Sequence, residues 1–117
     1  MKISIIGAGY VGLVTGLCLS EWGHRVACVE RDKRRVEKIE HSKAPFYEPG
    51  LAALLGKHLR KGTFRITQNL LEAVRSTDVT IIAVGTPSKR RKIDLVHIKA
   101  AIREVGAALR GEKKYHV

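Results

Sequence analysis

Acidic residues are scarce in this sequence: 11 Asp and Glu stand against 22 Lys and Arg, for a formal charge of +11. Such a balance attracts anions in general, although basic residues spread over solvated helix faces reach the same total without any ligand. Aromatic residues are also few, at 5%. None interleaves the basic runs, and no helix-turn-helix, RRM or finger pattern is present, so specific nucleic-acid recognition is not expected. The two cysteines, Cys18 and Cys28, form no CxxC pair, which argues against a zinc ribbon or a disulfide scaffold. Both sit in apolar stretches and are expected to be buried, reduced thiols, small core residues rather than nucleophiles. His24, His41, His58, His97 and His116 lack metal-ligand spacing, so surface positions and no metal are expected. No apolar run approaches the roughly 18 residues of a membrane span. The opening run breaks at Gly7, too early for a signal-peptide core, and cytoplasmic residence without a membrane partner is the expectation.

What is present is enough for one domain: 117 residues, 44% of them hydrophobic, allow a single core. Apolar runs of strand length alternate with segments of helical period, the pattern of a parallel α/β sheet. Residues 3–6 read as a first strand, followed by a helix carrying Leu13, Val14, Leu17, Cys18 and Trp22 that Gly23 ends. Residues 25–30 give a second strand, and Asp32 caps a charged helix to about Glu40. Residues 41–49 read as a loop, with Pro49 suited to the first turn of a helix to about Arg60. Then come a short strand at 63–67, a helix at 69–75 and a nearly continuous apolar run at 79–84, expected to be central in the sheet and buried on both faces. A last helix carries Leu95, Ile98, Ile102, Val105 and Leu109. Residues 113–117 read as the opening of a fifth strand. Because a doubly wound sheet usually has six, residues 1–117 are expected to be an incomplete Rossmann-like domain, truncated at the start of the fifth strand.

The chemistry concentrates at two turns. In Gly7-x-Gly9-x-x-Gly12, Gly7 permits the tight strand-to-helix turn, Gly9 lets backbone approach a pyrophosphate, and Gly12 lets the helix pack on the strand. Helix N-terminal amides then meet the phosphates. Glu30, ending the second strand, is placed to accept hydrogen bonds from the adenosine ribose and to repel a 2′-phosphate, which favours NAD over NADP. The neighbouring Arg31, Lys33, Arg34 and Arg35 point the other way, since a basic cluster there also accommodates a 2′-phosphate; they read equally as a solvated helix face paired with Glu37 and Glu40. At the second turn, Val84 leads into Gly85, which leaves space for a cofactor. Thr86 offers a hydroxyl and an amide, and Pro87 stops the strand from covering the crevice. Tyr47-Glu48-Pro49-Gly50-Leu51 either presents a carboxylate and a phenol or simply starts a helix.

Together these segments resemble the nucleotide-sugar 6-dehydrogenases. The residues that carry the resemblance are 1–16 with their Gly9-Tyr10-Val11-Gly12 form, 47–51, 83–88 and Asp94-Leu95. The resemblance implies an NAD domain of a larger enzyme, expected to be a homodimer, that oxidises the C6 alcohol of UDP-glucose or a related sugar nucleotide to a carboxylate with two NAD. It matches Tyr10 and Val11 to the cofactor loop, Glu30 to a ribose-binding acid that is commonly Asp, Arg35 to a basic residue near the adenosine end, and Thr86 to a cofactor-contacting threonine. The family's catalytic cysteine, lysine and aspartate have no counterpart in this chain, so no catalytic residue is assigned. Lys89, Arg90, Arg91 and Lys92 depart from the family, whose members tend to be small, polar or acidic there. The alternative is a non-catalytic nucleotide-binding module whose basic face meets a polyanion or a regulatory partner.

Overall fold

A computed structural model describes residues 1–89 and 92–117. Its elements are β1 (Lys2–Ile6), α1 (Tyr10–Glu21), β2 (Arg25–Val29), α2 (Lys33–Glu40), α3 (Leu51–Lys61), β3 (Phe64–Thr67), α4 (Leu70–Arg75), β4 (Val79–Ile82), β5 (Ser88–Lys89), β6 (Lys92–Ile93) and α5 (Val96–Ala108). Among the described residues the large sheet has four strands in the order β3-β2-β1-β4, all parallel, with Ile5 opposite both Cys28 and Ile81. β5 and β6 form a separate two-stranded hairpin. Arg90 and Arg91, half of the basic loop singled out in the sequence, lie outside the described residues.

Local signals set the element ends. The Asp32 carboxylate accepts from the amides of Arg34 and Arg35, and the Asn69 side chain accepts from the amide of Glu72, so α2 and α4 start with the caps their first amides need. Gly23 and Gly62 adopt φ of +90° and +67° just after α1 and α3, the left-handed stop that glycine reaches without a Cβ penalty. Pro49 stands outside α3, in the turn before Gly50, the residue that precedes its first turn.

The two sheet faces bury different layers. On one, Ile3, Ile5, Val26, Cys28, Phe64 and Ile66 pack with Leu13 and Leu17 of α1, Val36 and Ile39 of α2, and Leu51 and Leu55 of α3. On the other, Ile6, Ala27 and Val29 meet Ala73 and Val74 of α4 and Ala101, Val105 and Ala108 of α5. Alternating strand residues feed both layers, which is why these strands read as continuous apolar runs.

Four expectations are corrected. Among the described residues β4 stands at the edge of the sheet rather than at its centre, half-buried along its length and ending at Ile82. On its outer side the Thr80 amide donates to the Val117 carbonyl at 2.7 Å and the Val117 amide to the Asp78 carbonyl at 3.1 Å. Cys18 is exposed while Cys28 is buried: Leu13, Gly16, Leu17 and Ser20 form the buried face of α1, and Cys18 stands about 100° around the helix from Leu17. Of the apolar residues named from the last helix, Val105 is buried with Ala101 and Ala108, whereas Ile102 is 54% exposed and Leu95, which precedes α5, is 45% exposed. Finally, His58 is buried, because Thr63 Oγ1 and Glu21 Oε2, each 2.7 Å away, satisfy both ring nitrogens.

Candidate functional site

The carboxyl ends of β1 and β4 lie side by side, Ile6 opposite Ile82. A cleft of about 600 Å³ opens there, lined on one side by Gly7, Gly9, Glu30 and Arg35, on the other by Val84, Gly85 and Pro87. Of the residues proposed from sequence, Tyr10, Val11, Gly12 and Thr86 do not line it. Tyr10 and Val11 stand 57% and 65% exposed on the first turn of α1, and Thr86 is exposed beyond the rim.

The three glycines of the first turn do separate things. Gly7 has φ +106°, and a Cβ there would lie 2.7 Å from the Ala83 carbonyl oxygen. A Cβ on Gly12 would stand 1.9 Å from the Gly7 carbonyl oxygen, so helix and turn can approach only without a side chain. At Gly9 a Cβ would meet nothing within 4 Å. That glycine is not required by the protein's own packing, and its bare backbone faces the cleft. Gly9 precedes α1, with no side chain capping the helix and no acidic residue in its first turn. The amides of that turn are thus left for an anion.

Glu30 follows β2 with its side chain only 13% exposed. One carboxylate oxygen, Oε1, accepts from the amides of Arg31 at 2.8 Å and Asp32 at 3.0 Å. The other, Oε2, accepts from the Ala8 amide at 3.3 Å and faces Arg35 Nη1 at 3.4 Å. Glu30 therefore ties the glycine turn to the end of β2, and Arg35 is oriented by the Asp32 cap one turn earlier. The paired spacing proposed from sequence holds for Lys33 with Glu37, 3.9 Å apart, whereas Arg35 turns to Glu30.

The segment before α3 starts the helix and presents the Glu48 carboxylate, but not the Tyr47 phenol. The Leu51 amide donates to the Glu48 carbonyl at 3.1 Å, opening the helix. The Glu48 carboxylate also accepts from the Tyr10 hydroxyl at 3.0 Å, and the Tyr10 ring lies 5.2 Å from that of Phe46. This contact raises the Tyr10 phenol above its ordinary pKa, through the hydrogen bond and then the charge of Glu48. Tyr47 is 90% exposed and turned outward.

Sequence reasoning missed the far wall. Gln68 follows β3, and its Nε2 donates to the Arg31 carbonyl at 2.9 Å. His97, Ala101 and Glu104 of α5 complete the lining, at i, i+4 and i+7 on one helix face. The periodicity of α5 contains that face, but its apolar residues drew attention to the other side.

A glycine turn leading into an uncapped helix, an acid at the end of the next strand and a cleft at the β1/β4 crossover together define a dinucleotide-binding domain. Residues 1–116 match the family model described as the UDP-glucose/GDP-mannose dehydrogenase family, NAD binding domain. The chain belongs to that family, as its NAD-binding domain. It is 44% identical over 113 residues to the UDP-glucose 6-dehydrogenase of Rhizobium meliloti, covering 95% of this chain and 26% of that protein. It is also 44% identical over 117 residues to the GDP-mannose 6-dehydrogenase of Pseudomonas syringae pv. tomato, covering 99% of this chain and 27% of that protein. Among solved structures, it superposes on a ternary complex of GDP-mannose dehydrogenase from Pseudomonas aeruginosa with a TM-score of 0.96 at 42% identity, covering 99% of this chain and 27% of the other. The chain thus spans about a quarter of the length of the curated relatives it matches.

Proposed function

We propose that this chain holds NAD for an enzyme that oxidises the C6 alcohol of a sugar nucleotide, UDP-glucose or a relative, to the carboxylate. The observation that carries the reading is the cleft, with bare Gly9 backbone at its floor and the nearly buried Glu30 at its rim. Those residues fit a dinucleotide. The α1 amides and Gly9 receive the pyrophosphate, Glu30 accepts from the ribose hydroxyls, Arg35 steadies Glu30, and Val84, Gly85 and Pro87 bound the opposite side. Tyr10, Val11, Gly12 and Thr86 act from just outside, Gly12 by letting α1 approach and Tyr10 by fixing the helix start to Glu48. When bound, NAD accepts hydride. Alcohol to carboxylate removes two hydrides, hence two NAD per sugar.

The substrate class is supported by likeness to the relatives named above; homodimeric assembly and cytoplasmic residence are proposed with it, and among the described residues no helix is long and apolar enough to cross a membrane. Calorimetric titration of the chain with NAD and NADP tests the core of the proposal. Saturable binding with NAD the tighter ligand is expected; failure to bind either overturns it.

A further inference from the structure

The four basic residues after Glu30 make the cofactor preference ambiguous in the sequence, because a free cationic cluster at that ribose would welcome a 2′-phosphate. In the structure that cluster is largely spoken for. Arg35 faces Glu30, Lys33 faces Glu37, and Arg31 Nη2 donates to Glu104 Oε1. The last contact bridges the cleft, since Arg31 leaves the end of β2 while Glu104 stands on α5, and both line the cavity. The Arg31 backbone amide is itself bonded to Glu30, so the residue that reaches Glu104 follows directly on the carboxylate proposed to read the ribose.

We infer that Glu104 is a specificity-determining residue of the cofactor site: by holding Arg31 across the cleft it withholds a cleft-lining guanidinium that a 2′-phosphate would otherwise recruit. The inference rests on the dinucleotide reading of the cleft. The pair is open to water, its side chains 65% and 45% exposed, so it adds little to stability and its position needs another reason. A phosphate dianion competing for Arg31 would leave the Glu104 carboxylate unpaired in the same cleft as Glu30, two like charges facing a third. A ribose hydroxyl carries no charge and makes no such demand. Glu104 acts through Arg31, as a positioning residue rather than a direct contact.

The test is the ratio of NADP to NAD affinity, measured by calorimetry on the chain and a charge series at residue 104. Glu104→Gln should raise the ratio roughly tenfold and Glu104→Lys further, while Glu104→Asp should keep it near the starting value. Adding Arg31→Ala to Glu104→Gln should return the ratio to its original level. A ratio unmoved by both Gln and Lys, or a gain that survives Arg31→Ala, overturns the inference while leaving NAD binding intact. A chain that binds neither dinucleotide removes the cofactor reading itself, and this inference with it.

Discussion

At the scale of single residues, two glycines of one motif separate folding from binding. Gly12→Ala puts a methyl 1.9 Å from the Gly7 carbonyl oxygen, so α1 must move. The variant should lose several kcal/mol or fail to fold, well beyond the roughly 1–3 kcal/mol of ordinary overpacking. Gly9→Ala should melt like the parent, because its Cβ points into open space, yet bind NAD more weakly, because that space is where a pyrophosphate approaches. Thermal denaturation and calorimetry on the two variants separate these outcomes, and a Gly9→Ala that binds normally would contradict the proposed floor of the site. Glu30→Ala should weaken NAD by about 1–3 kcal/mol through loss of a charge-assisted acceptor. It should cost stability too, because the Ala8, Arg31 and Asp32 amides lose their partner.

The cysteines make a second prediction at this scale. Burial, aided by the charge of Glu30, pushes the Cys28 thiol up to about 12 from an ordinary 9.0, so it stays protonated and shielded. Cys18 is open to solvent. Iodoacetamide should alkylate Cys18 in the native chain and reach Cys28 only on denaturation, as peptide mass mapping would show. A thiol whose folded value lies above its unfolded one leaves stability intact below about pH 9, and that contribution is lost as pH rises from there toward 12.

Among the elements, α2 shows how a cap reaches a site. Asp32 holds the first amides of the helix that carries Arg35, so Asp32→Ala should cost about 1 kcal/mol in urea denaturation and loosen Arg35 from Glu30, weakening NAD as well. A variant that loses stability without losing affinity would show that Arg35 needs no such support. Three carboxylates elsewhere respond to acid. Lys57, then His58, hold Glu21 below the usual carboxylate range; Arg65 does so for Glu72, and Lys114 with the Lys2 amide for Asp78. Depressed carboxylates contribute stability above their unfolded values and lose it as pH falls through the folded ones. The melting temperature should therefore be level near neutrality and decline below about pH 4.5, starting near the 4.5 of an unperturbed Glu. Glu72→Gln should flatten part of that decline.

At the scale of the whole molecule, a cleft for a dinucleotide is not yet an enzyme. Hydride transfer needs a sugar C6 held against the nicotinamide, and a thiol intermediate needs a cysteine there. Cys28 is buried in the core and Cys18 lies on α1 outside the cleft lining. Incubated with NAD and either UDP-glucose or GDP-mannose, the chain should give no NADH absorbance above a blank. Turnover removed by Cys18→Ser would overturn that reading. The charge of +11 should bind nucleic acid only loosely, with affinity collapsing as salt approaches about 200 mM; selective binding that survives such salt would favour the polyanion-binding alternative.

The order of the four sheet strands and five helices along the chain, the glycine turn, the Asp32 cap and the glycine stops were set by the sequence alone, because each depends on residues within a few positions of one another: a period, a missing Cβ, a short side chain beside free amides; the β5–β6 hairpin was not legible there. Glu30 could be found the same way, since the end of a strand is a local landmark. What only the tertiary structure decided were matters of neighbourhood. That β4 lies at the edge of the described sheet, that Cys18 turns outward and His58 inward, and that α5 buries Ala101, Val105 and Ala108 but not Ile102 all depend on which surfaces meet, and apolarity alone does not say against what. The pairing of Arg31 with Glu104 spans 73 positions. No spacing rule covers such a distance, so whether a basic cluster is free or already neutralised became visible only when the sheet brought β2 and α5 to opposite sides of one cleft.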